Sequence, residues 1–263
     1  MTYWHWLAGL TLLFFLAERL RPARRHQPLL RRQFFNDLFY VAFNGHFFAV
    51  WFGSYTAAVG TWTRELLAPY LPWATSDSAL ATLPWALQFA LYLVASDFVQ
   101  WCVHNLLHRV PFLWQFHKVH HSVKEMDWVA NWRFHWVEVL VYGALTYVPL
   151  ALLGGSASAL FAVAVFATFW GNLNHANLDV GLGPLGYVFN SPRMHLWHHD
   201  RSDEGGVAKH FGIVLSCWDW IFRTAHWPRE RGPDLLGYPD DADMPRSLWR
   251  QLVFPLGRNS RGS

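Results

Sequence analysis

Four stretches of this chain, residues 3–18, 34–59, 80–103 and 137–172, read as runs of apolar side chains. A helix rises 1.5 Å per residue, so about 20 apolar residues cross the hydrocarbon core of a bilayer. The fourth run is broken only at Gly154, Gly155 and Ser156, which divides it into a helical hairpin that returns to its starting side. Composition agrees: charged residues are 15% of the chain, against about 25% in soluble domains. Its 17 Trp suit the layer where helices leave hydrocarbon for head groups. The expected fold class is therefore all-α, an integral membrane bundle of about four to five spans with a histidine-rich helical cap.

Orientation follows from charge. Arg19, Arg21, Arg24, Arg25, Arg31 and Arg32 crowd between the first two runs, and such a loop is held on the cytoplasmic side. The first run ends in arginines, the reverse of a cleavable signal peptide, and reads as a retained span. Counting onward places every histidine cluster on the cytoplasmic face. Residues 60–79, with Arg64, Glu65, Pro69, Pro72 and Asp77, read as an amphipathic loop. The expected organisation is N-terminal membrane helices over 1–80, a histidine-bearing domain over 81–227 and a polar, cytoplasmic C-terminal tail over 228–263. The formal charge of +3 does not suggest nucleic acid, and Cys102 and Cys217 suggest neither a disulfide framework nor a thiolate metal site.

The chemistry lies in the histidines. His104 and His108 stand in HNLLH, His117, His120 and His121 in HKVHH, His175 in NHAN, and His195, His198 and His199 in HLWHH. On a helix, residues three and four apart share a face, so these spacings aim imidazoles at a common point. Two copies of HxxHH among 15 histidines in 263 residues exceed chance. His5, His26, His46 and His226 read as ordinary isolated histidines. Asp97, Trp101, His104 and His108 fall within a stripe about 60° wide. A carboxylate in an apolar run needs a partner, and Asp97 is expected to accept an imidazole N–H, fixing the tautomer of a ligand, or to cap or pair at the interface.

Nine clustered histidines exceed the needs of one ion, so two metals are implied. Imidazole suits Zn, Cu, Fe and Ni, which leaves the metal open. Asp200 and Asp203 flank the last cluster, yet the clusters hold almost no carboxylate, whereas hydrolytic dizinc sites usually do. A membrane dizinc hydrolase or isomerase and a non-enzymatic metal transporter remain the alternatives. Transporters place ligands near the midplane, while these clusters sit at helix ends. GLGPLG at Gly181, Gly183 and Gly186 has the letters of a dinucleotide fingerprint but not its strand-turn-helix context, and reads as a loop.

Taken as an ordered set, DFVQWCVHNLLHRVPFLWQFHKVHHS, NHAN, NSPRMHLWHHD and HFGIVLSCWDWIFRT resemble the fatty acid hydroxylase or sterol desaturase superfamily over roughly residues 90–225. The nearest branches look like alkylglycerol monooxygenase and sterol desaturase. The resemblance implies a membrane non-haem di-iron oxygenase in which His104, His108, His117, His120, His121, His175, His195, His198 and His199 are metal ligands. Some members carry a further histidine four residues before the position of His175; here it is Gly171. His210, Phe211 and Gly212 stand where relatives commonly have Asn-Tyr-Gly, and Phe222, Arg223 and Thr224 where they have Phe-Gly-Thr; both departures are expected to affect a cap over the site. His135, with Arg133, resembles an Arg-x-His element and is expected behind the ligands or facing substrate.

The implied cofactors are two iron ions cycling between ferrous and ferric states, with dioxygen as co-substrate. The implied reaction removes hydrogen from a C–H bond of a bilayer lipid, giving an alcohol or an alkene. The chain shows no flavin, haem or nicotinamide fold, so electrons are expected from an external donor: a reductase, a ferredoxin or a b-type cytochrome.

Overall fold

The computed structural model describes residues 3–67, 69–70, 80–152, 154, 156–201, 209–227, 232–239 and 241–256. Among these the chain is helical, with isolated bridges but no strand. In order come α1 (Tyr3–Leu20), α2 (Phe34–Ala42), α3 (Ala49–Leu67), α4 (Trp85–Arg109), α5 (Pro111–His121), α6 (Trp136–Leu152), α7 (Ala157–His175), α8 (Pro192–His198), α9 (Cys217–Ile221) and α10 (Leu248–Leu252). Two of them, α4 and α7, are long and apolar enough to cross a membrane by length and composition. Leu87, Leu91 and Val94 on α4 and Phe161 on α7 are exposed, as lipid-facing positions would be.

Helices α6 and α7 are joined across Gly154, whose φ of 66° is easy for glycine, and each packs against α4 rather than forming a directly packed hairpin. Helix α6 packs against α3 and α4, and α7 against α4 and α1. Proline starts α5 and α8 at their first turns, where a missing N–H costs nothing. The Ser191 hydroxyl accepts from the Met194 N–H to cap α8.

The structure amends the sequence reading in three further places. The run 34–59 is not one uniform helix, because a π-helical turn over Phe43–Phe48 separates α2 from α3. Helix α3 then continues to Leu67, into the stretch read as a loop; residues 71–79 of that stretch lie outside the described residues. The described part of 228–263 is not a loose tail. Leu236, Tyr238, Gln251 and Phe254 are buried, and the Gly237 N–H donates to the His199 carbonyl at 3.0 Å. A few well-spaced apolar side chains dock this segment although its composition is polar.

The arginine loop is likewise more than solvated charge. Arg31 is buried and bonds Asp37 at 2.5 Å and Asp127 at 2.6 Å, while Arg133 holds the other oxygen of Asp37. Glu18 of α1 accepts the N–H groups of Trp128 and Asn177, both at 2.8 Å. The loop is thereby tied to the segments after α5 and α7, at the histidine end of the bundle. A buried ion network is most sensitive to losing one member, since the charges left behind have no water to turn to. Asp37→Ala, which leaves Arg133 without a carboxylate and Arg31 with Asp127 alone, is expected to cost about 3–5 kcal/mol, whereas Asp179→Ala, breaking a partly exposed pair with Arg193, should cost under about 1 kcal/mol. Thermal unfolding in detergent of the two variants side by side checks the order.

Candidate metal centre

Four helices bring the nine clustered histidines to one place. Helix α4 supplies His104 and His108 from its last turns, α5 supplies His117, His120 and His121, and α7 ends at His175. Helix α8 supplies His195 and His198, with His199 just after it. The α4–α5 connection is Val110 alone, so the HNLLH and HKVHH faces fold directly onto each other.

The rings sort into two groups. One comprises His104, His108, His117, His121 and His198, and the other His120, His175, His195 and His199; within each, one nitrogen per ring lies within 4.8 Å of all the others. The HxxHH motifs are shared between the groups: His117 and His121 go to one and His120 to the other, while His198 and His199 part company. In the second group Nε2 of His175 lies 3.2 Å from that of His120 and 3.1 Å from that of His195. The groups meet where the His121 and His199 rings stack at 4.4 Å.

Four rings have their outward nitrogen fixed by an acceptor. Nδ1 of His104 bonds the Phe211 carbonyl at 2.8 Å, that of His117 bonds Glu138 at 2.7 Å, that of His175 bonds the Gly171 carbonyl at 2.8 Å, and that of His198 bonds the Lys209 carbonyl at 2.7 Å. Donation outward requires Nδ1–H, which leaves Nε2 as a lone pair facing inward. Nε2 of His104, His108 and His198 is buried with no protein partner. Buried acceptors are ordinarily satisfied, so inward lone pairs without partners, on rings held from behind, fit a metal ion. No carboxylate belongs to either group among the described residues.

Electrostatics act the same way. Burial first, then the neighbouring imidazoles, push His117, His121, His195 and His199 well below the usual histidine value, so each is neutral and able to ligate at pH 7. Rings of Trp114, Phe134 and Phe211 surround the histidines: Phe134 stacks on His120 at 4.6 Å, and Phe211 sets its edge against His104, His108 and His198. The His210–Gly212 segment, expected as part of a cap, thus touches the site and supplies a backbone acceptor to it.

Asp97 does not meet an imidazole. Its oxygens accept from the Val214 and Leu215 N–H groups at 2.8 and 3.0 Å and from the Trp218 indole at 3.0 Å. In return Trp101 of α4 donates to Asp219, which also accepts from the Phe211 and Gly212 N–H groups and the Thr224 hydroxyl. The stripe from Asp97 to His108 therefore binds the segment 211–219, which positions the carbonyl behind His104. His135 is also not behind a clustered histidine: its Nε2 reaches the Leu252 carbonyl at 2.9 Å and its Nδ1 accepts from the Val137 N–H, so it ties α6 to α10. At Gly171 a Cβ would come within 2.9 Å of the Asn131 side chain, and that amide occupies the space beside α7. Asp200 pairs backbone with Leu236, outside both groups, and Asp203 lies outside the described residues. The GLGPLG stretch forms a short 3-10 turn over Gly183–Tyr187, as a loop should.

Sequence reasoning passed over Glu138. It lies in a run read as apolar, where a carboxylate needs a partner as Asp97 does, and His117 is that partner. Asn174 and Asn190 were also missed; they donate to the Ile213 and Gly212 carbonyls and hold the 211–215 segment from the far side.

The comparisons with known proteins agree with this geometry. Residues 89–224 match the fatty acid hydroxylase family model. The chain is 35% identical over 179 residues to ornithine lipid hydroxylase OlsE of Rhizobium tropici, covering 68% of this chain and 53% of that protein. It is 29% identical over 191 residues to alkylglycerol monooxygenase of Caenorhabditis elegans, covering 70% and 35%, and 28% identical over 183 residues to the human enzyme of that name, covering 67% and 40%. The aligned region thus spans about half or less of each relative. No solved structure matches.

Two outcomes follow. Glu138→Gln removes the carboxyl group behind His117 and is expected to weaken metal retention about 10–100-fold, read as metal content after dialysis against a graded chelator series. Because folding depresses the histidine values, the unfolded chain binds more protons below about pH 6.5. Stability of the metal-free protein is therefore full above that pH and falls as the pH drops below it; thermal unfolding between pH 8 and pH 5 checks the sign.

Proposed function

Because the chain belongs to the fatty acid hydroxylase family, we propose that it is a multi-pass membrane oxygenase that holds two iron ions and uses dioxygen to hydroxylate, or desaturate, a C–H bond of a lipid. One observation carries the reading: nine imidazoles sort into two adjacent groups, the inward nitrogens of His104, His108 and His198 have no protein partner, and no carboxylate belongs to either group among the described residues. His104, His108, His117, His121 and His198 would hold one ion, and His120, His175, His195 and His199 the other. Iron bound there would supply dioxygen activation and the removal of hydrogen from an unactivated carbon.

The chain itself supplies position and dryness. Glu138 and the carbonyls of Phe211, Gly171 and Lys209 orient four imidazoles, and the rings of Trp114, Phe134 and Phe211 keep water from the nitrogens. Dryness matters because reactive oxygen chemistry in the presence of water is wasted in side reactions. The relatives named for lipid hydroxylation and alkylglycerol oxygenation support a lipid substrate. The exposed apolar faces of α4 and α7 would let an acyl chain approach from the bilayer.

Four to five spans with the histidines on the cytoplasmic face complete the reading. Its support is that the arginine loop packs on the segments after α5 and α7: the Ala23 N–H donates to the Asn177 carbonyl at 2.9 Å and the Arg24 guanidinium to the Met126 carbonyl at 2.6 Å. The histidine-bearing unit is proposed as 81–227, close to the matched 89–224. Electrons would arrive from a separate reductase, ferredoxin or b-type cytochrome.

Comparative lipidomics of cells carrying the intact protein or His120→Ala is the direct test. A lipid species gaining one oxygen or losing two hydrogens is expected with the intact protein alone, in air and not under nitrogen. Equal lipid profiles, or a purified protein that holds zinc and turns over without oxygen, would overturn the reading. Oxidation by iron and oxygen with no electron source would overturn the separate donor.

A further inference from the structure

A second concave site lies behind α8, on the face turned away from the histidines. Its volume is about 850 Å³, large enough for a whole ligand head group rather than a bare ion. It is walled by the arginine loop, by the start of α8 and by residues 232–236. On α8, Arg193 and Leu196 line this cavity while His195 and His198 point to the metal centre, so the two sites share one helix.

Five cationic side chains line the cavity, Arg24, Arg25, Lys124, Arg193 and Arg201, against the carboxylates Glu125, Asp179 and Asp234. They are not equally committed. Arg193 is bonded to Asp179 at 2.7 Å, and Lys124 and Arg201 both reach Asp241. Arg24 is different: its guanidinium bonds the Gln27 side-chain oxygen at 2.9 Å and the Met126 carbonyl, both neutral groups. Among the described residues no ion pair engages Arg24 or Arg25. Burial pushes Arg24 below the usual arginine value even though Glu18, Asp127 and Glu125 lie close enough to oppose the shift, so part of its desolvation cost is left for a directly bonded anion to relieve.

The surroundings name the class of anion. Leu178, Leu196, Leu235 and Leu236 give the cavity apolar walls. Leu20 at the end of α1 and Leu29 and Leu30 on the arginine loop are 80%, 60% and 61% exposed. Exposed leucines alternating with arginines suit the boundary where acyl chains meet head groups. Guanidinium forks match carboxylate and phosphate oxygens in pairs.

We propose that this cavity binds the oxyanionic head group of a membrane lipid, with Arg24 and Arg25 as its principal contacts. The site is separate from the metal centre, and its occupant can be the oxidised lipid or a lipid that never reacts.

Native mass spectrometry of the detergent-solubilised full chain tests it, with dioleoyl phosphatidylglycerol as probe and uncharged dioleoylglycerol as control. The wild type is expected to retain the anionic lipid and not the control. Arg24→Gln and Arg25→Gln should each weaken retention about tenfold. Arg21→Gln, on the same loop but outside the cavity, should leave it unchanged. Arg25 is exposed and unpaired, so its variant remains informative if Arg24→Gln folds poorly. Glycerol phosphate added in excess separates two sources: displacement of the lipid assigns the site to phosphate esters at large, and no displacement assigns it to lipid. Equal retention by wild type and Arg25→Gln, or equal loss in Arg21→Gln, would overturn the proposal. Iron content measured on the same samples reads the oxygenase proposal independently.

Discussion

Nine imidazoles brought together, eight of them buried and His108 half-buried, impose the constraint that the rest of the molecule answers. Each ring carries one donor and one acceptor, and in an interior of low dielectric both must be directed. Where Glu138 or a carbonyl takes the outward N–H, the inward nitrogen becomes a lone pair without further choice. Nδ1 of His120, His195 and His199, by contrast, has no protein partner. The first histidine group is thus held by outer acceptors at three of five rings, and the second at His175 alone.

Holding those acceptors in place explains much of the remaining polar architecture. Asp97 and Asp219 are buried carboxylates facing each other's elements: one on α4 gathers N–H groups of the 214–218 segment, the other on α9 gathers the α4 indole and the 211–212 backbone. Asn174 and Asn190 hold the carbonyls of the same segment. A segment with no regular structure is fixed from both sides, and the Phe211 carbonyl behind His104 is one product of that fixing. The stacked rings of Phe98, Trp101 and Phe222 seal the outside of this joint.

At the same end of the bundle the arginine loop has its own logic. Arg31, Asp37, Asp127 and Arg133 form an ion network within the protein, while Arg24 and Arg25 of the same loop do not join it. The positive charge of this loop therefore divides into a part used to tie helices together and a part left facing a cavity. Sequence shows only that the arginines are crowded.

Much was legible from sequence because it depends on local periodicity. The all-helical class, the break at Gly154, the nine histidines and their family all follow from spacing and motif order, which short-range helix geometry preserves. The rest depends on contacts between residues far apart in the chain. That Glu138 backs His117, that Asp97 serves the 214–218 backbone instead of an imidazole, that His135 reaches Leu252, and that the polar C-terminal segment packs back are such facts. The sequence by itself determined which side chains could bind metal and that they number enough for two ions. Only the tertiary structure decided how they divide, sending His117 and His121 one way and His120 the other, because a helix fixes where its side chains point but not which neighbours stand there to receive them.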